Sequence, residues 1–141
     1  MIDNRLAPYG ALSLRIALGA MFIAHAYLKL VIFTPAGFAG FLGQVGLPSA
    51  LAWPIILAEL VGGLAILFGF YGRYVSLLLL PVLFGALAVH APNGWVFNAP
   101  NGGWEYPAFL ALTAFAHALI GDGAFALKSA SFGERVRPAV A

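Results

Sequence analysis

Apolar side chains run almost unbroken along four stretches of this chain, and polar ones gather between them. The stretches are Tyr9 to Phe33, Leu51 to Phe70, Tyr74 to Ala91, and Tyr106 to Ile120, the last extending toward Phe125. Each approaches the ~20 residues that cross ~30 Å of hydrocarbon at ~1.5 Å per residue. Backbone groups in lipid have to be satisfied within their own segment, so these stretches predict helices and not strands. Four spans on short links predict an all-α, integral membrane, antiparallel four-helix bundle, one domain over residues 1–141.

The links refine this picture. "TPAGFAGFLGQVGLPSA" (34–50) is Gly-rich, uncharged and still apolar. It is expected to lie at the interface or dip back, with Pro35 and Pro48 breaking the helices on either side. "GFYGR" (69–73) reads as a tight turn. "PNGWVFNAPNGGW" (92–104) holds a short duplication with Asn-Gly turn signals, and Trp95 and Trp104 are placed to sit at headgroup level. Past Lys128 the chain becomes a polar, basic tail, 128–141.

Composition supports the membrane reading. Of the 141 residues 62% are hydrophobic and 9% charged, against about 45–50% and about 25% in soluble domains. A chain this short has too little interior to hide that much apolar surface from water. The first apolar stretch is too long for a cleavable signal and lacks a small-residue cleavage pattern, so it is expected to remain as a span. With no cysteine, this chain cannot supply thiolate nucleophiles, Cys-bound zinc or iron–sulfur clusters. A net charge of +2 with scattered basic residues gives no clustered face for nucleic acid.

The ionisable residues inside the spans are the candidate chemistry, because each is costly at membrane depth unless paired or wetted. Arg15, His25 and Lys29 share one face of the first helix: at about 100° per residue, Lys29 falls about 40° and His25 about 80° from Arg15. Counting inward from Phe33, Lys29 lies about 6 Å and His25 about 12 Å deep, and Glu59 on the descending second helix is also near 12 Å. His90 and Glu105 stand at the outer ends of the third and fourth helices. An outer-half site of His25, Lys29, Glu59, His90 and Glu105 is therefore expected. Near the inner face Arg15 and Asp122 fall level, predicting an ion pair that fixes helix register. His117 stands alone, readable as a satisfied interior histidine or as a ligand. The "LVGGLAILFG" run after Glu59 suits close helix packing. His25 and His117 differ by about 6 Å in depth, a poor match for the two axial ligands of a haem, so no haem is expected.

Taken together, "LRIALGAMFIAHAYLKL", "AELVGGLAILFGFYGR", "HAPNGWVF" with "GGWEYPAFL", and "GDGAFAL" resemble the DoxX family of small four-helix membrane proteins, over roughly Leu14 to Leu127. The sequence departs from the family pattern at Ala26, where Gly is usual, and at Lys128, near a place that is often acidic. The resemblance implies a bacterial or archaeal inner-membrane protein and marks Arg15, His25, Lys29, Glu59, Arg73, His90 and Glu105. Some relatives are membrane subunits of thiosulfate:quinone oxidoreductase and others look like partners of redox-defence enzymes. On that reading Lys29, Glu59 and His25 are catalytic, and His90, Trp95, Trp104, Glu105 and Tyr106 flank a bound quinone. A partner redox subunit or a homo-oligomer would complete the unit. Two other readings stay open: a small-solute or proton transporter, and a non-catalytic membrane anchor of a redox complex.

Orientation follows from Lys and Arg. Arg5, Arg73, Lys128, Arg135 and Arg137 lie on one side, and the first and third links carry no Lys or Arg. The positive-inside rule then places both termini in the cytoplasm. A C-terminal reporter fusion that needs the cytoplasm should be active, and one that needs the exterior should be silent; the reverse pattern would invert the topology.

Overall fold

The computed structural model describes residues 3–129, so Arg135, Arg137 and most of the expected basic tail lie outside the described residues. Five α-helices make up most of the described residues: α1 (Ala7–Tyr27), α2 (Pro35–Gln44), α3 (Ala52–Phe68), α4 (Gly72–His90) and α5 (Glu105–Ile120). The described residues contain no strand beyond an isolated bridge between Phe70 and Lys128. Three continuous helical stretches, Ala7–Ile32, Ser49–Phe68 and Gly72–Asn93, are long and apolar enough to cross a membrane. The fourth, Glu105–Ile120, is apolar but shorter, at 16 residues.

The first stretch does not end as a regular helix. Its last turn, Leu28–Ile32, widens so that the Phe33 N–H reaches back five residues to the Leu28 carbonyl at 2.8 Å. Such widened turns insert a residue without breaking the helix and occur often at functional sites. Thr34 then turns the chain at a positive φ of 61°, and its hydroxyl accepts the Gly37 N–H at 3.2 Å. This is a side-chain cap of the ordinary kind. Pro35, expected to break the helix, also starts a new one, since a first-turn proline has no N–H to lose. The link therefore contains a ten-residue helix that its Gly content concealed. Phe38 and Leu42 of α2 are buried against Ala52 and Ile56 of α3, forming a small apolar cluster.

The "GFYGR" turn is tight as expected. Gly69 (φ 66°) and Tyr71 (φ 50°) take left-handed conformations, and the Phe70 N–H closes the end of α3 onto the Ala65 carbonyl at 2.8 Å. The expected extension of the last helix to Phe125 does not occur. Gly121, Gly123 and Phe125 all have positive φ, and residues 121–129 form a strap across the helix ends beside the Gly69–Arg73 turn.

α1 packs on α3 and α5, α3 on α4, and α4 on α5. Leu18, Phe22, Ile66, Leu79, Leu83 and Leu110 form the buried core between them. Outward the surface is as apolar as the inside: Leu78, Phe109 and Leu112 are two-thirds exposed or more. A surface like this calls for hydrocarbon as its solvent.

Glycine sets the α1–α3 spacing. A Cβ on Gly19 would lie 2.8 Å from the Leu67 amide nitrogen and 2.9 Å from the Gly63 carbonyl oxygen, and one on Gly63 would lie 3.0 Å from the Ile23 amide nitrogen. These are backbone atoms that cannot swing aside. Without a hydrophobic force between helices in lipid, such close approach provides the attraction. Gly19→Val should therefore lower stability by at least the ~1–3 kcal/mol of an overpacked core. Gly10→Ala, whose Cβ would meet open space, should not. Thermal melts of the two purified variants would separate them; equal melting would mean that α1 and α3 can part without loss.

Candidate functional site

The site expected in the outer half is built on one contact between α3 and the turn that follows α1. The Lys29 ammonium donates to both Glu59 carboxylate oxygens at 2.8 Å. Its side chain is 14% exposed and that of Glu59 is 6% exposed. The depth argument from sequence places these two together, and here they touch. Lys29 lies within the widened turn. Phe38 of α2 sets its ring 5.3 Å from the Lys29 nitrogen, a cation–π contact that covers the pair. Sequence reasoning did not find Phe38, because the Gly-rich link gave no helical pattern to place it.

His25, one turn before Lys29, is half-buried and meets α5. Its ring stacks on Tyr106 of α5, with centroids 5.9 Å apart and planes 15° from parallel. Tyr106 also lines an open groove with Trp95, Phe97, Glu105 and Phe109, with a volume of about 320 Å³. One aromatic ring thus joins the groove to the half-buried histidine.

His90 and Glu105 do other work than the single outer cluster expected of them. His90 Nδ1 lies 3.0 Å from the Asn101 carbonyl and 3.2 Å from that of Gly102, and the Asn93 amide donates to the same two carbonyls. Glu105 accepts the Phe97 N–H at 2.8 Å. Trp95 and Trp104 meet edge to face at 4.5 Å. These groups fold the 91–104 loop, and that loop forms the groove. The expected five-residue site is therefore a charged pair, a stacked His25–Tyr106 pair and a loop scaffold.

At the opposite end of the helices the expected Arg15–Asp122 pair needs correction. Arg15 is buried and does reach Asp122, but it donates to the main-chain carbonyl at 2.7 Å, with a second contact to the Phe125 carbonyl at 3.4 Å. The cause is the early stop of α5: once the chain turns at Gly121, its carbonyls face α1. The Asp122 carboxylate points elsewhere. One oxygen accepts the Arg73 N–H at 3.1 Å and lies 3.6 Å from His117 Nε2. His117 is fully buried, with Nδ1 2.8 Å from the Ser76 hydroxyl. Ser76 also went unnoticed in the sequence. It was findable, since it lies four residues into α4 and His117 three before the end of α5, hence at nearly one depth. Lys128, where the family pattern is often acidic, holds its ammonium 5.1 Å over the Tyr71 ring.

A membrane protein of helices, with ionisable side chains buried at two depths, is the class these features define. Residues 10–91 match the DoxX family. A protein of Bacillus subtilis (strain 168) bearing the name "Putative oxidoreductase CatD" is 34% identical over 125 residues, covering 88% of each chain. No solved structure matches significantly. The chain belongs to the DoxX family.

Removing either partner of the Lys29–Glu59 pair strands a charge, which typically costs about 3–5 kcal/mol, whereas replacing both with apolar residues of similar volume can be near neutral. Lys29→Met and Glu59→Leu should each lower stability strongly, and the double variant should recover most of the loss. Thermal unfolding in detergent gives the cycle; strictly additive losses would show that the pair is not coupled.

Proposed function

We propose that this chain is the membrane subunit of a quinone-linked oxidoreductase in a bacterial or archaeal inner membrane. α1, α3, α4 and α5 would cross as an antiparallel four-helix bundle with both termini cytoplasmic. The observation that carries the reading is the doubly hydrogen-bonded Lys29–Glu59 pair one helical turn from the stacked His25–Tyr106 pair. The name of the Bacillus subtilis relative supports a redox role.

The chemistry asked of the site is modest. Reducing a quinone to a quinol takes two electrons and two protons. Lys29 and His25 can donate hydrogen bonds to the two ring oxygens, where negative charge grows as electrons arrive. Glu59 can pass protons, since it already accepts from Lys29. The groove edged by Trp95, Phe97 and Tyr106 offers flat apolar walls for the ring, with the His90–Glu105 loop and Trp104 holding those walls in place. The electrons would come from a small reductant on the outer side, thiosulfate being the candidate, or from a partner redox subunit.

The transporter reading fares worse on one observation. Leu18 and Phe22 separate Arg15 from His25 along α1, Ile66 separates Glu59 from Gly69 along α3, and Leu110 and Ala114 separate Tyr106 from His117 along α5; all are buried in one apolar core. Such a layer offers no polar path between the inner and outer groups of one chain, so a conducting route would need an oligomer.

Proteoliposomes containing the chain, loaded with a soluble quinone analogue and given thiosulfate outside, test the proposal. Wild type should reduce the quinone. The Lys29→Met/Glu59→Leu double variant should fold yet lose about 10²-fold or more in turnover, the usual size of a lost proton-transfer group. A stable double variant with full turnover would refute the catalytic role of the pair. Solute flux without electron transfer would replace the proposal with the transporter. A wild type inert alone but active with a co-purified subunit would place the donor site on that subunit.

A further inference from the structure

Neither Lys29 nor Glu59 lies in a wall of the aromatic groove, and their side chains are only 14% and 6% exposed. Anything that meets this pair needs a way in. α1 and α3 are poorly placed to give one, because Gly19 and Gly63 hold them backbone to backbone. α2 is the weaker wall. It packs chiefly on the widened turn, on Ser49–Leu51 and on α3. The apolar cluster beneath it, built around Phe38, Leu42, Ala52 and Ile56, is drawn from residues 30–56 and shares no residue with the main core. α2 can therefore leave with that core intact. What it would take with it is the buried Phe38, whose ring lies 5.3 Å from the Lys29 nitrogen.

The joints of α2 point the same way. At its start Thr34 takes φ 61° and ψ 153°. That region is essentially reserved for glycine, and a β-branched residue there carries strain worth about fivefold or more in a conformational equilibrium. Its hydroxyl, which accepts the Gly37 N–H, and the cluster below hold it there. Past the end of α2, Gly46 has φ 79°, and a Cβ there would meet open space. Strain at one joint and room at the other are what a moving element needs.

We propose that α2 is a strained cover that lifts about Thr34 and Gly46 and opens the Lys29–Glu59 pair to water at its end of the membrane. The closed state carries the Thr34 strain. The lifted state releases it and exchanges the Phe38 ring over the ammonium for hydration. Burial of Phe38 and Leu42, together with the Thr34 cap, opposes lifting and keeps the closed state the main one. The cover shares its site with the redox reading and rests on that reading only for what enters.

The chain has no cysteine, so one introduced thiol reports on one place. Ile56→Cys puts it under α2, and Ile66→Cys puts it in the main core; both native side chains are fully buried. With the full chain in lipid nanodiscs, a charged, water-soluble methanethiosulfonate reagent should label Ile56→Cys slowly and leave Ile66→Cys unlabelled. Two changes at Thr34 should then move the Ile56→Cys rate in opposite directions. Thr34→Gly tolerates the backbone angles and costs the cap little, so labelling should slow by about fivefold. Thr34→Val keeps the strain and loses the cap oxygen, so labelling should quicken by about fivefold. A link that only connects two helices would not reverse sign between them. Ala52→Cys, in the same cluster, repeats the measurement if Ile56→Cys fails to fold. An Ile56→Cys as inert as Ile66→Cys overturns the proposal, and so does a Thr34→Gly rate that is unchanged or raised. Labelling involves no quinone. The expected rates in a chain that reduces no quinone would support the cover and remove the redox reading, whereas flat rates in a chain that does reduce it would remove the cover alone.

Discussion

The ion pair between Lys29 and Glu59 is the contact on which the outer half of this protein depends. Lipid offers a charged side chain neither solvation nor a counter-ion, so a lysine at this depth needs a carboxylate and a carboxylate needs a cation. Once the two are joined, α1 and α3 are pinned at one level. The Gly19–Gly63 crossing then brings the same helices close enough for the reach to be short. The widened turn presents the lysine, Phe38 roofs it, and α2 owes its position to the apolar cluster behind that ring. Each element is explicable by what it does for two charges that have nowhere else to go.

The inner end meets the same difficulty with different means. There Arg15 donates to the Asp122 and Phe125 main-chain carbonyls, and Arg73 donates to that of Leu119. Guanidinium suits this role, since its fork of donors can serve several oxygens at once. The carbonyls are available only because α5 stops early and the chain doubles back. Between the two ends lies a layer of leucine, isoleucine and phenylalanine. The molecule is therefore two buried polar centres, one toward each end of the helices, separated by an apolar layer.

How much of this could be read in advance follows from the physics of each signal. Apolar length is a strong signal in lipid, so α1, α3 and α4 were legible to within a few residues, and α5 at its start. Depth is nearly as good, because helix rise is constant. That is why Glu59 could be matched to Lys29 across thirty residues, and why Ser76 could have been matched to His117. Direction is harder. His25 is at the depth of Glu59 but stacks on Tyr106, a choice set by the facing helix. Links were least legible. α2 is made of Gly, Ala and Phe without polar punctuation, and its helicity comes from the Thr34 cap, Pro35 and packing onto α3. The strap was hidden by the apolar content of "GDGAFAL", which reads as more span until the three residues of positive φ are seen. Asp122 was placed at the right depth yet given the wrong bond, because sequence reveals side chains and says little about which carbonyls a turn will expose.

The widened turn at Leu28–Ile32 has a consequence for how the chain can vary. One extra residue in a helix shifts everything after it by about 100° around the axis; here the extra residue is absorbed before Thr34. The turn thus sets the angular phase between α1 and α2. Deleting Val31 would leave Lys29 facing Glu59 but swing α2 about a quarter-turn around the end of α1, carrying Phe38 off the pair. The wrinkle works as a gear tooth between a fixed charge and a movable cover: the outer loop can change in composition and length while its starting direction stays locked to the lysine.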